Sequence, residues 1–292
     1  MKISTIILTL DASLYIKKQI QMLKKQTLSP DEIIIIDSSS TDDTCAIARN
    51  EGIEPIVIPK EKFSHGGTRN FAAKIAKGDI LVFFSQDAIP YDNYVLEHLI
   101  KHLYKSDDIV ASYGRHVPYQ NAKPTEIVAR KINYPEVFIT KDISYVSYMG
   151  AKTFFFSNVC SAIKKDILNK IGGFPEDVFM SEDTIFAAKA INSGYKIIYV
   201  PEAKVLHSHD FSPLEYFKRY YYIGRSLSNY KWIIQEDRIG KEGRKIVKSQ
   251  INYILKTRQI KWLPYLFIEN SLKYLGFKLG LFFPKKKKQD KR

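Results

Sequence analysis

Five stretches carry side chains whose types and spacing could do chemistry. Asp37 is followed by Ser38–Thr44, a run rich in helix-capping residues. A carboxylate there can accept hydrogen bonds from a base or ribose, and the free N–H groups of a helix start favour phosphate. A helix start crowded with caps explains the same string. In Phe63-Ser64-His65-Gly66-Gly67-Thr68-Arg69-Asn70, two glycines let backbone approach a ligand. Arg69 could grip a diphosphate through paired hydrogen bonds; a glycine turn before a surface arginine is the plainer alternative. Ser85-Gln86-Asp87 ends an apolar run, where a carboxylate suits a divalent metal or simply caps the sheet edge. Met180-Ser181-Glu182-Asp183-Thr184 puts two acids at a helix start, as the helix dipole favours; Asp183 could also take a proton from an attacking hydroxyl. In His207-Ser208-His209-Asp210, histidines at alternate strand positions share a face. One of them could complete a metal shell with Asp87 that suits Mn²⁺ as well as Mg²⁺; a strand-end histidine in a polar loop is the commoner fate.

These residues need elements to position them. Ser4–Leu10, Glu32–Ile36, Pro55–Ile58 and Ile80–Phe84 are apolar, strand-like runs. Helix-like runs alternate with them: Ala12–Thr27, a segment opened by the capping residues and stopped near Gly52, and Thr68–Ala76. Strands this continuously apolar are buried on both faces, and the alternation predicts a mostly parallel, Rossmann-like α/β sheet flanked by helices. Ligands of such sheets sit beyond the carboxyl ends of the strands, which selects Thr9–Asp11, Asp37–Asp43 and Ser85–Asp87. Residues 105–151 lack a clear period. Further on, Phe154–Ile163 reads as a strand, Ser181–Asn192 as a helix, and Tyr195–Val200 and Lys204–His207 as strands parted by Pro201. After His209 the texture is helical, basic and aromatic, so the chain divides into an α/β region, 1–210, that carries the five stretches, and a helical region, 211–292.

The chain has 292 residues and a net charge of +14, which favours anionic partners. Part of that charge is the terminal run Lys285–Arg292, with six basic residues and one aspartate. Two distant cysteines, Cys45 and Cys160, indicate neither a disulfide framework nor a zinc site. There is no GxxxxGK(S/T) phosphate loop and no GxGxxG fingerprint. The N-terminal apolar run is too short for a signal peptide, and no stretch approaches the ~20 apolar residues of a membrane span. A cytoplasmic protein is expected.

In this order, the segments "STIILTLDAS", "DEIIIIDSSSTDDT", "HGGTRNFAAKIAKGDILVFFSQDAIP", "FFFSNVCSAIKKDILNKIGGFPEDVFMSEDTIFAAKA" and "VLHSHDFSPLEYFKRYYYIGRS" resemble the family 2 glycosyltransferases with the GT-A fold. The "HGGTRN", "QDA", "FFFSNVCSA" and "HSH" variants are most similar to the bacterial rhamnosyltransferase branch. The resemblance implies that Thr9, Asp11, Asp37, Ser39, His65, Arg69 and Gln86 serve the nucleotide-sugar. It implies Asp87 and His207 as ligands of Mg²⁺ or Mn²⁺; Ser85 stands where the family's DxD motif has its first Asp. It makes Asp183 the base, with Glu182 orienting substrate, and turns Asn158 and Ser161 toward sugar or acceptor. The implied reaction is inverting transfer, of L-rhamnose from dTDP-rhamnose, to a hydroxyl of a bacterial surface polysaccharide or lipid-linked glycan.

Beyond Asp210, aromatic residues interleave with basic ones. Tyr265, Ile268, Leu272, Leu275, Leu279 and Phe282 make a helical stripe ahead of the lysine run. This suits an amphipathic helix on the anionic inner face of the cell membrane; a helix packed on the catalytic region, with a solvated tail, is the alternative. Three other functions compete. A UDP-hexose donor would leave the fold unchanged. A nucleic-acid-binding protein would use the charge and aromatics, but the acidic clusters and the lack of a binding motif argue against nucleic acid. An inactive homologue would only bind a partner, against which Asp87 and Asp183 argue.

Overall fold

The computed structural model describes residues 1–234 and 236–283, with side chains described throughout except at 236–242. The terminal lysine run lies outside the described residues.

The strands are β1 (Ile3–Thr9), β2 (Glu32–Asp37), β3 (Ile56–Val57), β4 (Ile80–Ser85), β5 (Ile89–Pro90), β6 (Ile109–Val117), β7 (Ile139–Lys141), β8 (Cys160–Lys164) and β9 (Lys196–Leu206). They form one sheet in the order β3-β2-β1-β4-β8-β6-β9-β5, with β7 also on β9. The first four in that order are parallel, as the strand–helix alternation predicts. The other half is mixed: β8 runs antiparallel to β4 and β6, β9 is parallel to β6, and β5 and β7 are antiparallel to β9.

Successive strand residues point to opposite faces, so each apolar strand feeds two cores. Ile6, Leu81 and Phe83 pack on one face with Phe186 and Ile191 of α8 (Glu182–Asn192). Ile7, Val82 and Phe84 pack on the other with Ile16 and Ile20 of α1 (Ile16–Lys24). The helices α2 (Thr44–Asn50) and α3 (His65–Ile75) complete the parallel crossovers, and α4 (Val95–Ile100) covers the second face.

The middle of the chain is ordered, contrary to its sequence texture. It supplies the nine-residue strand β6, the helix α5 (Pro124–Asn133), β7 and the short helix α6 (Tyr145–Met149). Gly114, Arg115 and His116 break the apolar period of β6, yet pairing on both edges holds it in the sheet. The expected strand at Phe154 starts only at Cys160, because residues 150–154 make a 3-10 turn; α7 (Lys165–Lys170) follows. β9 does not stop at Pro201. Its register against β6 jumps from Val200 to Lys204, and this irregularity absorbs a residue that cannot donate to a ladder.

The C-terminal helices are α9 (Pro213–Leu227), α10 (Glu236–Lys256) and α11 (Leu263–Phe282). Ser212 starts α9 with a reciprocal capping box to Glu215, and Pro213 opens the first turn. α9 and α11 cross at backbone contact: a Cβ on Gly280 would lie 2.1 Å from the Tyr221 carbonyl oxygen. Two polar residues that fall between the stripe members, Glu269 and Lys273, face inward. Glu269 is fully buried, accepts from Thr125 Oγ1 of α5 at 2.8 Å, and pairs with Lys273. The exposed apolar residues of α11 are Phe267, Ile268, Tyr274, Leu275 and Phe282.

Candidate active site

The ends of β1, β2 and β4 lie side by side, and their polar residues lock to one another. Asp37 is fully buried at the end of β2. It accepts from Thr9 Oγ1 at 2.8 Å, Ser40 Oγ at 2.6 Å and the Ser40 N–H at 2.8 Å. Asp11 accepts from the Thr41 N–H at 2.8 Å, and its own N–H donates to Ser40 Oγ. Gln86 clasps Leu10 with both ends of its amide, at 2.7 and 3.0 Å. Ser39 donates to the Ile58 carbonyl at 2.8 Å. Among the described residues, four non-glycine positions have positive φ: Asp11, Ser39, Ser181 and Arg258. Three of them are in these loops or at the start of α8. Such strain gathers where a surrounding structure enforces a shape.

The first of the two glycines after His65 has a packing reason. α3 begins at His65, three residues earlier than its apolar period indicates, with Ser64 capping Gly67 at 3.1 Å. A Cβ on Gly66 would fall 2.0 Å from the Pro175 carbonyl oxygen. Gly66 therefore admits the 174–175 backbone rather than a ligand. His65 sits edge-on to Phe63, and burial pushes its pKa down. Arg69 is no surface arginine. It is buried, and Nη1 meets the His65 carbonyl at 3.0 Å and Glu182 Oε1 at 2.9 Å. Its Nε is buried without a hydrogen-bond partner.

This ion pair separates the two acids at the start of α8. Glu182 is tied to Arg69. Asp183 accepts from the Thr184 N–H at 2.7 Å and the Asn158 N–H at 3.4 Å. Burial, then the neighbouring Glu182 charge, push the Asp183 carboxyl up to about 7. A base with a pKa near the working pH is what proton abstraction needs. Asn158 Oδ1 accepts from Ser161 Oγ at 3.0 Å, while Asn158 Nδ2 is buried without a partner. The sequence did not single out Tyr134, which is buried beneath this loop and hydrogen-bonds Ser157.

Just past β4 and β9, Asp87, His207 and His209 converge, with one ligand atom of each within 4.8 Å of the others. Asp87 Oδ2 is 3.4 Å from His207 Nε2 and 3.8 Å from His209 Nδ1. Both histidines of the pair arrive, where one was expected. Burial pushes the Asp87 carboxyl up, but the hydrogen bond and charge of His207 outweigh it and hold Asp87 at about 2. Burial, then His207, push His209 down to about 3. An ionised carboxylate beside neutral imidazoles is a donor set suited to Mn²⁺ or Mg²⁺. Behind it lie His116, Arg130 and Glu126. The i,i+4 spacing of Glu126 and Arg130 is the only sequence signal that could have marked them.

Comparison with known proteins places the chain in a family. Residues 4–172 match the family described as glycosyl transferase family 2. The chain is 38% identical to the O-antigen chain rhamnosyltransferase RfbN of Salmonella typhimurium, over 96% of this chain and 90% of that one. It is 40% identical to the O-antigen chain rhamnosyltransferase WbaN of Salmonella anatum, over 88% and 82%. A mannosyltransferase from Pyrobaculum calidifontis, solved with GDP-Man and Mn²⁺, shares the fold with a TM-score of 0.69 at 17% identity, covering 96% of this chain and 87% of that one. The chain thus has a GT-A-like fold, is a glycosyltransferase and belongs to glycosyl transferase family 2.

Proposed function

We propose that this enzyme transfers L-rhamnose from dTDP-rhamnose to a hydroxyl of a bacterial surface polysaccharide or its lipid-linked precursor, inverting the anomeric carbon. The observation that carries the sugar assignment is the identity of 38% and 40% to two O-antigen rhamnosyltransferases over nearly the whole chain.

The chemistry rests on the division of labour between Glu182 and Asp183. Glu182 stays paired with Arg69, so Asp183 is the carboxylate free to act. It takes the proton from the acceptor hydroxyl as that oxygen bonds to the anomeric carbon. The bond from that carbon to the diphosphate breaks on the opposite face, and the nucleotide leaves with its electron pair. Mg²⁺ or Mn²⁺ held by Asp87, His207 and His209 would neutralise charge on the departing diphosphate. Thr9, Asp11 and Ser39 shape the nucleotide pocket. Asp37 and Gln86 stiffen it, through Thr9 and Ser40 and through Leu10 respectively. His65 and Arg69 support the diphosphate side, and Asn158 and Ser161 the sugar and acceptor side.

The division at residue 210 is part of the same proposal, with residues 211–292 carrying the acceptor-facing attachment. Among the described residues, no helix is long and apolar enough to cross a membrane. The exposed Phe267, Ile268, Tyr274, Leu275 and Phe282 on α11 support attachment to the inner membrane face. That is where a lipid-linked acceptor would present itself.

The configuration of the new linkage, read from the one-bond C1–H1 coupling, tests the mechanism. Inversion of dTDP-β-L-rhamnose gives an α-rhamnoside; a β-rhamnoside would contradict it.

A further inference from the structure

We infer that His116, held by Arg130 and Tyr134, is a positioning residue for the metal-facing imidazole of His207. The inference rests on reading Asp87, His207 and His209 as a metal site.

His116 lies on β6, beside the end of β9, and is buried. Its ring stacks on Tyr134 with centroids 3.9 Å apart and meets His207 edge to face at 5.0 Å. Arg130 Nη1 lies 2.7 Å from His116 Nδ1. A guanidinium only donates, so Nδ1 is the acceptor and the ring proton sits on Nε2. Arg130 is itself fixed by Glu126, with Nε and Nη2 each 2.7 Å from the same carboxylate oxygen. Glu126 Oε1 also receives the backbone N–H of His209 at 3.4 Å. One buried ion pair on α5 therefore reaches both histidines from behind: His209 through its backbone, and His207 through the ring of His116.

This arrangement decides which atom His207 offers. Its Nε2 faces Asp87, and its Nδ1 is buried without a partner. No hydrogen bond fixes the imidazole from behind, so the edge contact with His116 does. Metal-ligating histidines are ordinarily oriented by a hydrogen bond on the far nitrogen, and loss of such support typically weakens metal binding about 10–100-fold. Here a clamped aromatic wall has that role.

Mn²⁺ titration of the full chain by calorimetry tests this. Wild type should bind, and Asp87→Ala should not; failure of wild type to bind Mn²⁺ would overturn the metal reading itself. His116→Gln keeps an acceptor for Arg130 but removes the ring. It should raise the Mn²⁺ Kd at least tenfold with little change in Tm, and His116→Phe, which restores the wall, should recover most of the affinity. His116→Ala replaces the Gln variant should that chain not fold, with the same expectation. A Gln or Ala variant that binds Mn²⁺ like wild type, or a Phe variant as weak as either, would overturn the inference while leaving the metal site standing.

Discussion

Glu182 Oε1 and Arg69 Nη1 lie 2.9 Å apart, in an ion pair whose side chains are each only 7% exposed. The acid next in sequence, Asp183, meets backbone N–H groups instead. Two adjacent carboxylates thus receive two environments, and the proposed division of roles rests on this difference.

Asp183, pushed up to about 7, must be ionised to accept a proton. kcat should therefore fall about tenfold per pH unit below 7 and level off above it. Asp183→Asn should lower kcat by ~10²–10⁴-fold, the usual share of a general base, with the donor KM nearly unchanged. The stability sign is opposite to that of a paired carboxylate. The folded state holds the Asp183 proton more tightly than the unfolded state, so this group's contribution is lost as pH rises from about 4 to 7. Asp183→Asn should consequently raise Tm at pH 8. A pH-independent kcat between 5.5 and 8 would exclude Asp183 as the base.

Glu182 raises the Asp183 pKa by its charge. Glu182→Gln removes that charge and leaves the Arg69 charge, which lowers the Asp183 pKa, so the acid limb of the pH–rate profile should move to lower pH. Truncation to Ala strands the buried guanidinium and should cost about 3–5 kcal/mol of stability. Chemical denaturation reads the second effect, stopped assays at several pH values the first.

The proposed metal site makes a graded prediction. EDTA should abolish transfer, and Mn²⁺ or Mg²⁺ should restore it. Asp87→Ala and His207→Ala should each lose metal-dependent activity. His209→Ala should raise the metal concentration needed for half-maximal rate, because its Nδ1 lies 3.8 Å from the same Asp87 oxygen.

Where α9 crosses α11, there is no room for a side chain at Gly280. Gly280→Ala should force the helices apart and cost on the order of 1–3 kcal/mol. A Tm equal to wild type would show that the helices cross differently.

The apolar face of α11 can be tested apart from catalysis. Phe267→Glu with Phe282→Glu should sharply reduce co-sedimentation with vesicles containing phosphatidylglycerol. High salt should weaken wild-type binding too, since each basic residue near an anionic surface contributes about 1 kcal/mol.

The parallel half of the sheet was legible because Ile6–Ile7 and Leu81–Phe84 must be buried on both faces, whatever their partners. The acids and histidines of the candidate site stood out in the sequence because they fall at strand and helix ends. What stayed hidden depends on contacts distant in sequence. Nothing local says that Arg69 will meet Glu182, or that Gly66 must clear the Pro175 carbonyl. β6 was hidden because its period breaks at Gly114–His116, the segment that brings His116 to His207. On α11, the burial of Glu269 was hidden because its polar partner Thr125 lies on a helix the sequence texture did not reveal.

The most direct test of the account is nucleotide release with purified protein, Mn²⁺, a lipid-linked acceptor and a panel of dTDP-rhamnose, UDP-glucose and UDP-galactose. dTDP should be released from dTDP-rhamnose, and this release should be lost in both Asp87→Ala and Asp183→Asn. Turnover of a UDP-sugar in place of dTDP-rhamnose, or full activity in the Asp183→Asn enzyme, would contradict it.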